Sequence, residues 1–315
     1  MSIPIEIPYK NIHMNIAIPQ DSSYPVLDNL ATTLAQIPGV EPTVWIPQHK
    51  PIFDMLEEIK PEWILCPSNM LTPTFISATK EYNVKLILLG LYQPNIPNVR
   101  LVCVDENTPD KLLENFKQSR LKTDLISYYK LKPATNLAQL HSCTYNEKYE
   151  SDILYFSDTD ISKSPYIYET LIKLTSLDKY KIKVCGKQKI NMNEYMGVPT
   201  LQETRGLLAS TKILLDFDTA MVYDCAISKT FCLSNTPQHL YPSYVNPGEM
   251  LAQVDHFVND DKHRKHFTQL AYKNVVGKDT FFHRIRDILD ILDMSELGSK
   301  AMEILDKTTS IKGNN

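Results

Sequence analysis

The sequence predicts an α/β protein of two domains, each built on a doubly wound parallel sheet. Three observations predict it. Short apolar runs alternate with segments of helical periodicity from Asn15 onward, the pattern that βαβ units leave in a sequence. The alternation fades between residues 109 and 150 and restarts at DILYFSD. A chain of 315 residues also exceeds one typical domain, so two domains of about 150 residues, each large enough for its own core, are the default. The boundary falls in the polar stretch HSCTYNEKYES, giving domains 1–148 and 149–315.

In the first half, the strand NIAIP precedes a helix over 24–37. PTVWIP is the next strand, followed by a helix over 52–59 with Ile52, Phe53, Leu56 and Ile59 on one face. WILCP, a helix near 72–82, KLILLGL and RLVCVD complete the alternation. A helix over 109–118 then leads into a polar, tyrosine-bearing segment with no clear period. In the second half, DILYFSD, a helix over 166–174, KIKVCGK and a helix near 201–209 lead into LLASTKILLDFDTAMVYDCAISKTFCLSN, residues 207–235. That stretch reads as a buried strand (211–217), a polar turn, a short helix (222–228) and a second buried strand (230–233). Helices over 248–258, 262–275 and 280–292 follow, the last with Phe281, Ile285, Ile288, Leu289 and Leu292 on one face. A further helix and a polar end, KGNN, close the chain.

Composition narrows the function. Net charge is −4, from 33 basic and 37 acidic residues, whereas dedicated nucleic-acid binders carry a basic domain or stripe. Lysines over 179–189 are interleaved with apolar strand residues and read as a solvated strand edge. The six cysteines form no C-x-x-C pair and several sit in apolar runs, as small hydrophobes of a reduced, cytoplasmic protein do. Residues 1–10 lack the layout of a signal peptide, and the longest apolar run is too short to span a bilayer. Only nine glycines occur, with neither G-x-G-x-x-G nor G-x-x-x-x-G-K. The commonest dinucleotide and P-loop readings are thereby excluded.

Residues 207–235 carry the chemistry. In an open α/β sheet, ligands bind outside the carboxyl ends of the strands. The turn after the strand at 211–217 lies at such an end, and the stretch holds three acids, Asp216, Asp218 and Asp224. Each also has a plainer reading. Asp224 suits the first turn of a helix through the dipole, and Asp216 and Asp218 suit a turn. Asp21 or Ser22 suits an N-cap. A lone His13 suits a structural role, and His263 and His266, in DDKHRKHF, suit an exposed helix face.

With these elements placed, the second half, over about residues 152–292, resembles the carboxyl-terminal domain of GT-B glycosyltransferases, particularly group 1 (family 4) and the CgeB-type branch. In the first half, IFDMLEEIKPEWILCPS resembles the family's helix, lysine-proline-acid and strand segment. The family's phosphate element falls on Phe156, Ser157, Asp158 and Lys163, which keeps the lysine and loses the glycine and arginine. Its second strand and glycine match Val184, Cys185 and Gly186. Its two glutamates fall on Asp216 and Asp224, with seven residues between them. A glycine after the second acid is replaced by Lys229.

The resemblance implies two Rossmann-like domains facing a cleft, with the C-terminal helices packing back toward the first. It implies transfer of a sugar from a nucleotide-sugar donor to an unknown glycan, protein or small-molecule acceptor, without a metal or other cofactor. Asp224 would take the ribose hydroxyls, joined in donor binding by Lys163, Gly186, Lys187, Tyr223, Asp218 and Lys229. Asp216 would touch the sugar if its configuration is retained; if it inverts, the first domain supplies the base, for which Asp21 and His13 are the candidates. Lys163, Lys187 and Lys229 read equally as surface charges. The lost arginine and glycines and the shortened acids also fit a GT-B-shaped binding or interaction module without the chemistry. A nucleotide-sugar epimerase is a third reading.

Overall fold

The computed structural model describes residues 12–21, 23–91, 96, 98–118, 126–140, 143–156, 165–187, 193–217, 221–235 and 240–310. Its contacts divide the chain into one unit of residues 1–133 with 281–315 and a second of residues 134–280, whereas the sequence reading cuts it once, at 148/149.

In the first unit the strands are β1 (Met14–Pro19), β2 (Val40–Trp45), β3 (Trp63–Pro67), β4 (Lys85–Leu89), β5 (Val99–Asp105) and β6 (Ser127–Leu131). All pair in parallel, in the order β2-β1-β3-β4-β5-β6. The helices between them are α1 (Pro25–Leu34), α2 (Ile52–Ile59), α3 (Pro73–Glu81) and α4 (Asp110–Gln118). Strands β3 and β4 are buried almost throughout, as parallel strands covered on both faces must be. Strand β6 lies in the segment without a clear sequence period. It is an edge strand whose five residues are all half-buried, so no alternation of buried and exposed residues marks it.

The second unit holds α5 (Leu137–Leu140), β7 (Ser151–Phe156), α6 (Pro165–Ser176), β8 (Ile182–Cys185), α7 (Leu201–Ser210), β9 (Thr211–Asp216), α8 (Val222–Ser228), β10 (Phe231–Ser234), α9 (Pro247–Asn259) and α10 (Asp261–Lys278). Its sheet is parallel, in the order β10-β9-β7-β8. Helix α7 opens with a capping box, Thr200 and Glu203 exchanging hydrogen bonds. Gly206 lies against the Tyr149 ring, where an added Cβ would fall 2.5 Å from Tyr149 Cδ2. Only a residue without a side chain lets α7 pack this closely.

The last helices, α11 (Phe281–Ile291) and α12 (Ser295–Ser310), belong to the first unit. On α11, Ile285, Ile288 and Leu289 are buried and share a small cavity wall with Leu30 and Leu34 of α1 and with Met14 and Ile16 of β1. Each such side chain contributes about 1.5–3 kcal/mol by leaving water. The Arg284 Nε donates to the Lys132 carbonyl at 3.1 Å, and the Tyr129 hydroxyl to Asp287 at 2.9 Å. These contacts tie α11 to β6 and the chain that follows it. The C-terminal helices thus pack on the first unit, as expected. Five of the six cysteines are buried and none of the six is in a disulfide. Among the described residues, no helix is long and apolar enough to cross a membrane.

Candidate functional site

In the second unit β8 lies on one side of β7, while β9 and β10 lie on the other. The chain therefore reverses its direction of winding between β7 and β9, and ligands of doubly wound sheets settle outside the carboxyl ends at this switch point. Asp216 is the last residue of β9, 3% exposed and opposite Ser234 of β10. A row of aromatic rings follows from it: Phe217 meets Tyr155 edge-on at 5.2 Å and Tyr244 at 6.2 Å.

Asp224 occupies the first turn of α8, the helix that leaves this end of β9. Its carboxylate accepts a 2.7 Å hydrogen bond from the Thr135 hydroxyl. Thr135 is buried, its N–H donates to the Asp279 carbonyl, and it forms a parallel bridge with Thr280. Burial raises the Asp224 carboxyl to about 6 against the lowering effect of that hydroxyl. The group is therefore mostly ionised at neutral pH and becomes neutral in mild acid, which gives it an acceptor role toward hydroxyl groups above that range. Tyr223 precedes it on α8, half-buried.

Gly186 follows β8 at the same end of the sheet. Its φ of +138° suits glycine alone, its N–H donates to the Gly197 carbonyl, and its own carbonyl accepts from the Tyr195 hydroxyl at 2.8 Å. Lys187 comes next and is exposed. Asp216, Gly186 and Lys187 thus share the carboxyl end of one sheet, with Asp224 on the helix that begins there. Lys163, Asp218, Ser22, Ser157 and Asp158 lie outside the described residues.

Two expected residues lie elsewhere. Lys229 precedes β10, so it belongs to the amino end of the sheet, away from Asp216. It is the left-handed C-cap of α8, φ +57°, with its ammonium over the Tyr272 ring at 5.0 Å. The glycine expected at this position would relieve the strain of a left-handed helix end, so its replacement by lysine bears on backbone geometry, not on cradling a phosphate. His13 precedes β1, at the amino end of the first unit's sheet, and its Nε2 lies 3.0 Å from Glu41. It thus lies at the end of that sheet opposite to Asp21.

Asp21 does lie at the carboxyl end of β1, next to the first unit's switch point between β1 and β3. Its Oδ1 accepts from the Ser23 N–H at 2.8 Å and its carbonyl from the Tyr24 N–H. It shapes the turn into α1, whose N-cap is Tyr24, with Pro25 at the first helical position. The N-cap expected at Asp21 or Ser22 therefore lies further along the chain, because proline fixes where the helix begins.

One residue of the site was passed over in the sequence: Thr135. Its signal was faint, a threonine in a polar stretch 89 positions from its partner.

At the opposite, amino end of the second sheet, Ser151, Thr211 and Phe231 line a cavity of about 510 Å³. Its wall is rich in charge, but most of the charge is paired. Lys212 meets Asp152 at 2.6 Å, Lys181 meets Glu150 at 3.6 Å, and Lys265 and Arg264 both meet Asp261.

No protein-family model matches the chain, and no curated protein does. Solved structures do. An α-glucosyltransferase in complex with UDP-glucose and DNA containing an abasic site superposes with a TM-score of 0.64 at 8% identity, covering 89% of this chain and 100% of that one. The Anabaena protein HepE, in complex with UDP and glucose, gives 0.56 at 10% identity over 89% and 100%. A putative UDP-N-acetylglucosamine 2-epimerase from Listeria monocytogenes gives 0.53 at 10% identity over 89% and 96%. At these identities the likeness establishes the fold: two Rossmann-like units of the GT-B class. Transferases and an epimerase share it, so the fold alone does not choose the reaction.

Proposed function

We propose that the protein transfers a sugar from a nucleotide sugar, held at the carboxyl end of the second unit's sheet, to an acceptor. The observation that carries the proposal is Asp224. It is a carboxylate on the first turn of the helix leaving β9, beside the switch point marked by Asp216, in a fold of the GT-B class. One carboxylate accepts from two adjacent ribose hydroxyls, and such charge-assisted bonds are among the stronger ones. Two of the similar structures hold UDP-glucose or UDP with glucose, so a uridine nucleotide is the donor to test first.

In this reading Gly186 and Tyr223 flank the nucleotide, and Lys163, Lys187 and Asp218 serve the diphosphate and its loop. Asp216 approaches the sugar if its configuration is retained; Asp21 is the base candidate if it inverts. No metal is required, since basic side chains and backbone N–H groups offset the leaving group's charge. The relation to group 1 and CgeB-type enzymes belongs to this proposal, as does a reducing, intracellular setting suited to cysteines that form no disulfide.

The test is a thermal-shift screen against UDP, other nucleoside diphosphates and their sugars, with Asp224→Ala as control. Ligand at 100 times its dissociation constant stabilises a protein by about 2.7 kcal/mol. A shift with one nucleotide that disappears in the variant supports the donor site; no shift with any of them overturns it. A second reading, a binding module without transfer, draws on the same carboxylate, which already accepts from Thr135 and is held near 6 by burial. It predicts nucleotide binding without acceptor-dependent release of nucleoside diphosphate.

A further inference from the structure

The corner between α9 and α10 brings together three metal-ligating side chains that the proposed transfer does not use. Asp260 is the single residue joining the two helices, serving as C-cap of α9 and N-cap of α10. His256 comes from the last turn of α9 and His263 from the first turn of α10. One candidate nitrogen from each histidine and one Asp260 oxygen all lie within 4.8 Å of one another. The Asp260 Oδ2 is 2.7 Å from His263 Nδ1 and 4.0 Å from His256 Nε2. We propose that this His256, Asp260 and His263 cluster is a binding site for a first-row transition-metal ion, zinc above all, which clips the α9–α10 corner.

The chemistry favours zinc. Two imidazoles and one carboxylate form a set that Zn²⁺ accepts, with water in the fourth position, whereas Mg²⁺ and Ca²⁺ demand oxygen ligands. With bonds of about 2.0–2.2 Å, the ligands of a tetrahedral zinc stand about 3.3–3.6 Å apart. The two distances from Oδ2 bracket that span, so moderate side-chain rotations bring the three onto one ion.

Much of the arrangement is already fixed. The other carboxylate oxygen, Oδ1, accepts the His263 N–H at 3.0 Å, so Asp260 is held by its capping role. The His256 ring packs edge-on against Phe257 at 4.8 Å and lies 5.8 Å from the His263 ring. Both histidines are exposed, which leaves an entry path and room for water. The plainer role of the aspartate, capping α10, uses Oδ1 and the backbone and is compatible with metal on Oδ2.

Titration calorimetry of the full-length chain, any affinity tag removed, with zinc chloride near neutral pH tests the site. The expected result is binding of about one zinc per chain, weakened roughly tenfold or more in His256→Ala and in His263→Ala. Magnesium chloride should give no such binding. His266→Ala, one turn along α10, should leave zinc affinity unchanged. Zinc should also raise the midpoint of thermal unfolding of the wild type and not of His256→Ala. Circular dichroism shows whether each variant is folded, and both replacements leave the Asp260 cap in place. Absence of zinc binding, binding that persists unchanged in both histidine variants, or equal weakening by His266→Ala overturns the assignment.

Discussion

The two ends of the second unit's sheet differ in a way that separates scaffold from site. The amino end has a cavity of about 510 Å³ and the dense charge, with Lys181, Lys212, Arg264 and Lys265 paired to carboxylates. The carboxyl end has Asp216, Gly186 and, on the departing helix, Asp224. In a βαβ unit each helix starts where a strand ends and finishes where the next begins. Helix C-termini therefore gather at the amino end of the sheet, and cations are favoured beside them. Lys229, the C-cap of α8, is one such cation. The cations Lys181, Lys212, Arg264 and Lys265 are matched there by Glu150, Asp152 and Asp261, so a hollow lined with lysines is not by itself evidence of a phosphate site.

The largest expected contrast lies in the pH dependence of stability. The Asp224 carboxyl is raised to about 6 from an ordinary 3.8, so between those values the folded state holds a proton that the unfolded chain releases. The stabilisation is fully present below about pH 4 and is lost as pH rises through 6, up to about 3 kcal/mol in all. Asp224→Asn should flatten that fall in urea midpoints measured from pH 4 to 7; an unchanged profile would show that burial does not hold this carboxyl up.

Asp224→Ala should also weaken uridine nucleotide binding by about 1.5–3 kcal/mol, roughly 10- to 150-fold, as loss of a hydrogen bond to a charged group does. Calorimetry with UDP reads this directly. A lesion in the scaffold near the amino end should behave in the opposite sense. Gly206→Ala forces a Cβ against the Tyr149 ring and should cost about 1–3 kcal/mol of stability by overpacking, with nucleotide affinity unchanged once the variant is saturated at low temperature. The smallest effect belongs to Lys229→Ala: it removes an exposed cation over Tyr272, worth about 0.5–1 kcal/mol, and should alter UDP affinity less than twofold. A large loss of affinity there would undo the contrast between the two ends.

Much of the fold was legible because apolar periodicity is a local property. Helix α2 occupies the span read from Ile52, Phe53, Leu56 and Ile59, and the run TKILLD is β9. Strand β6 was hidden because an edge strand with every residue half-buried shows no alternation. The placement of His13 and Lys229 was available from order alone. His13 immediately precedes β1 and Lys229 lies two residues before β10, and a residue just before a strand sits at the amino end. Chemistry-bearing residue type outweighed that simple inference.

The sequence by itself determined the βαβ alternation, the parallel sheets and the acids at and beyond the end of β9, since all of these follow from neighbours a few residues apart. Tertiary structure alone decided that α11 and α12 join the first unit, that Thr135 donates to Asp224 across 89 positions, and that His256 and His263 meet over Asp260. The first two depend on contacts between segments far apart in the chain, where no short-range pattern carries information. The third depends on the angle at which one helix ends and the next begins, set by the backbone of a single capping residue.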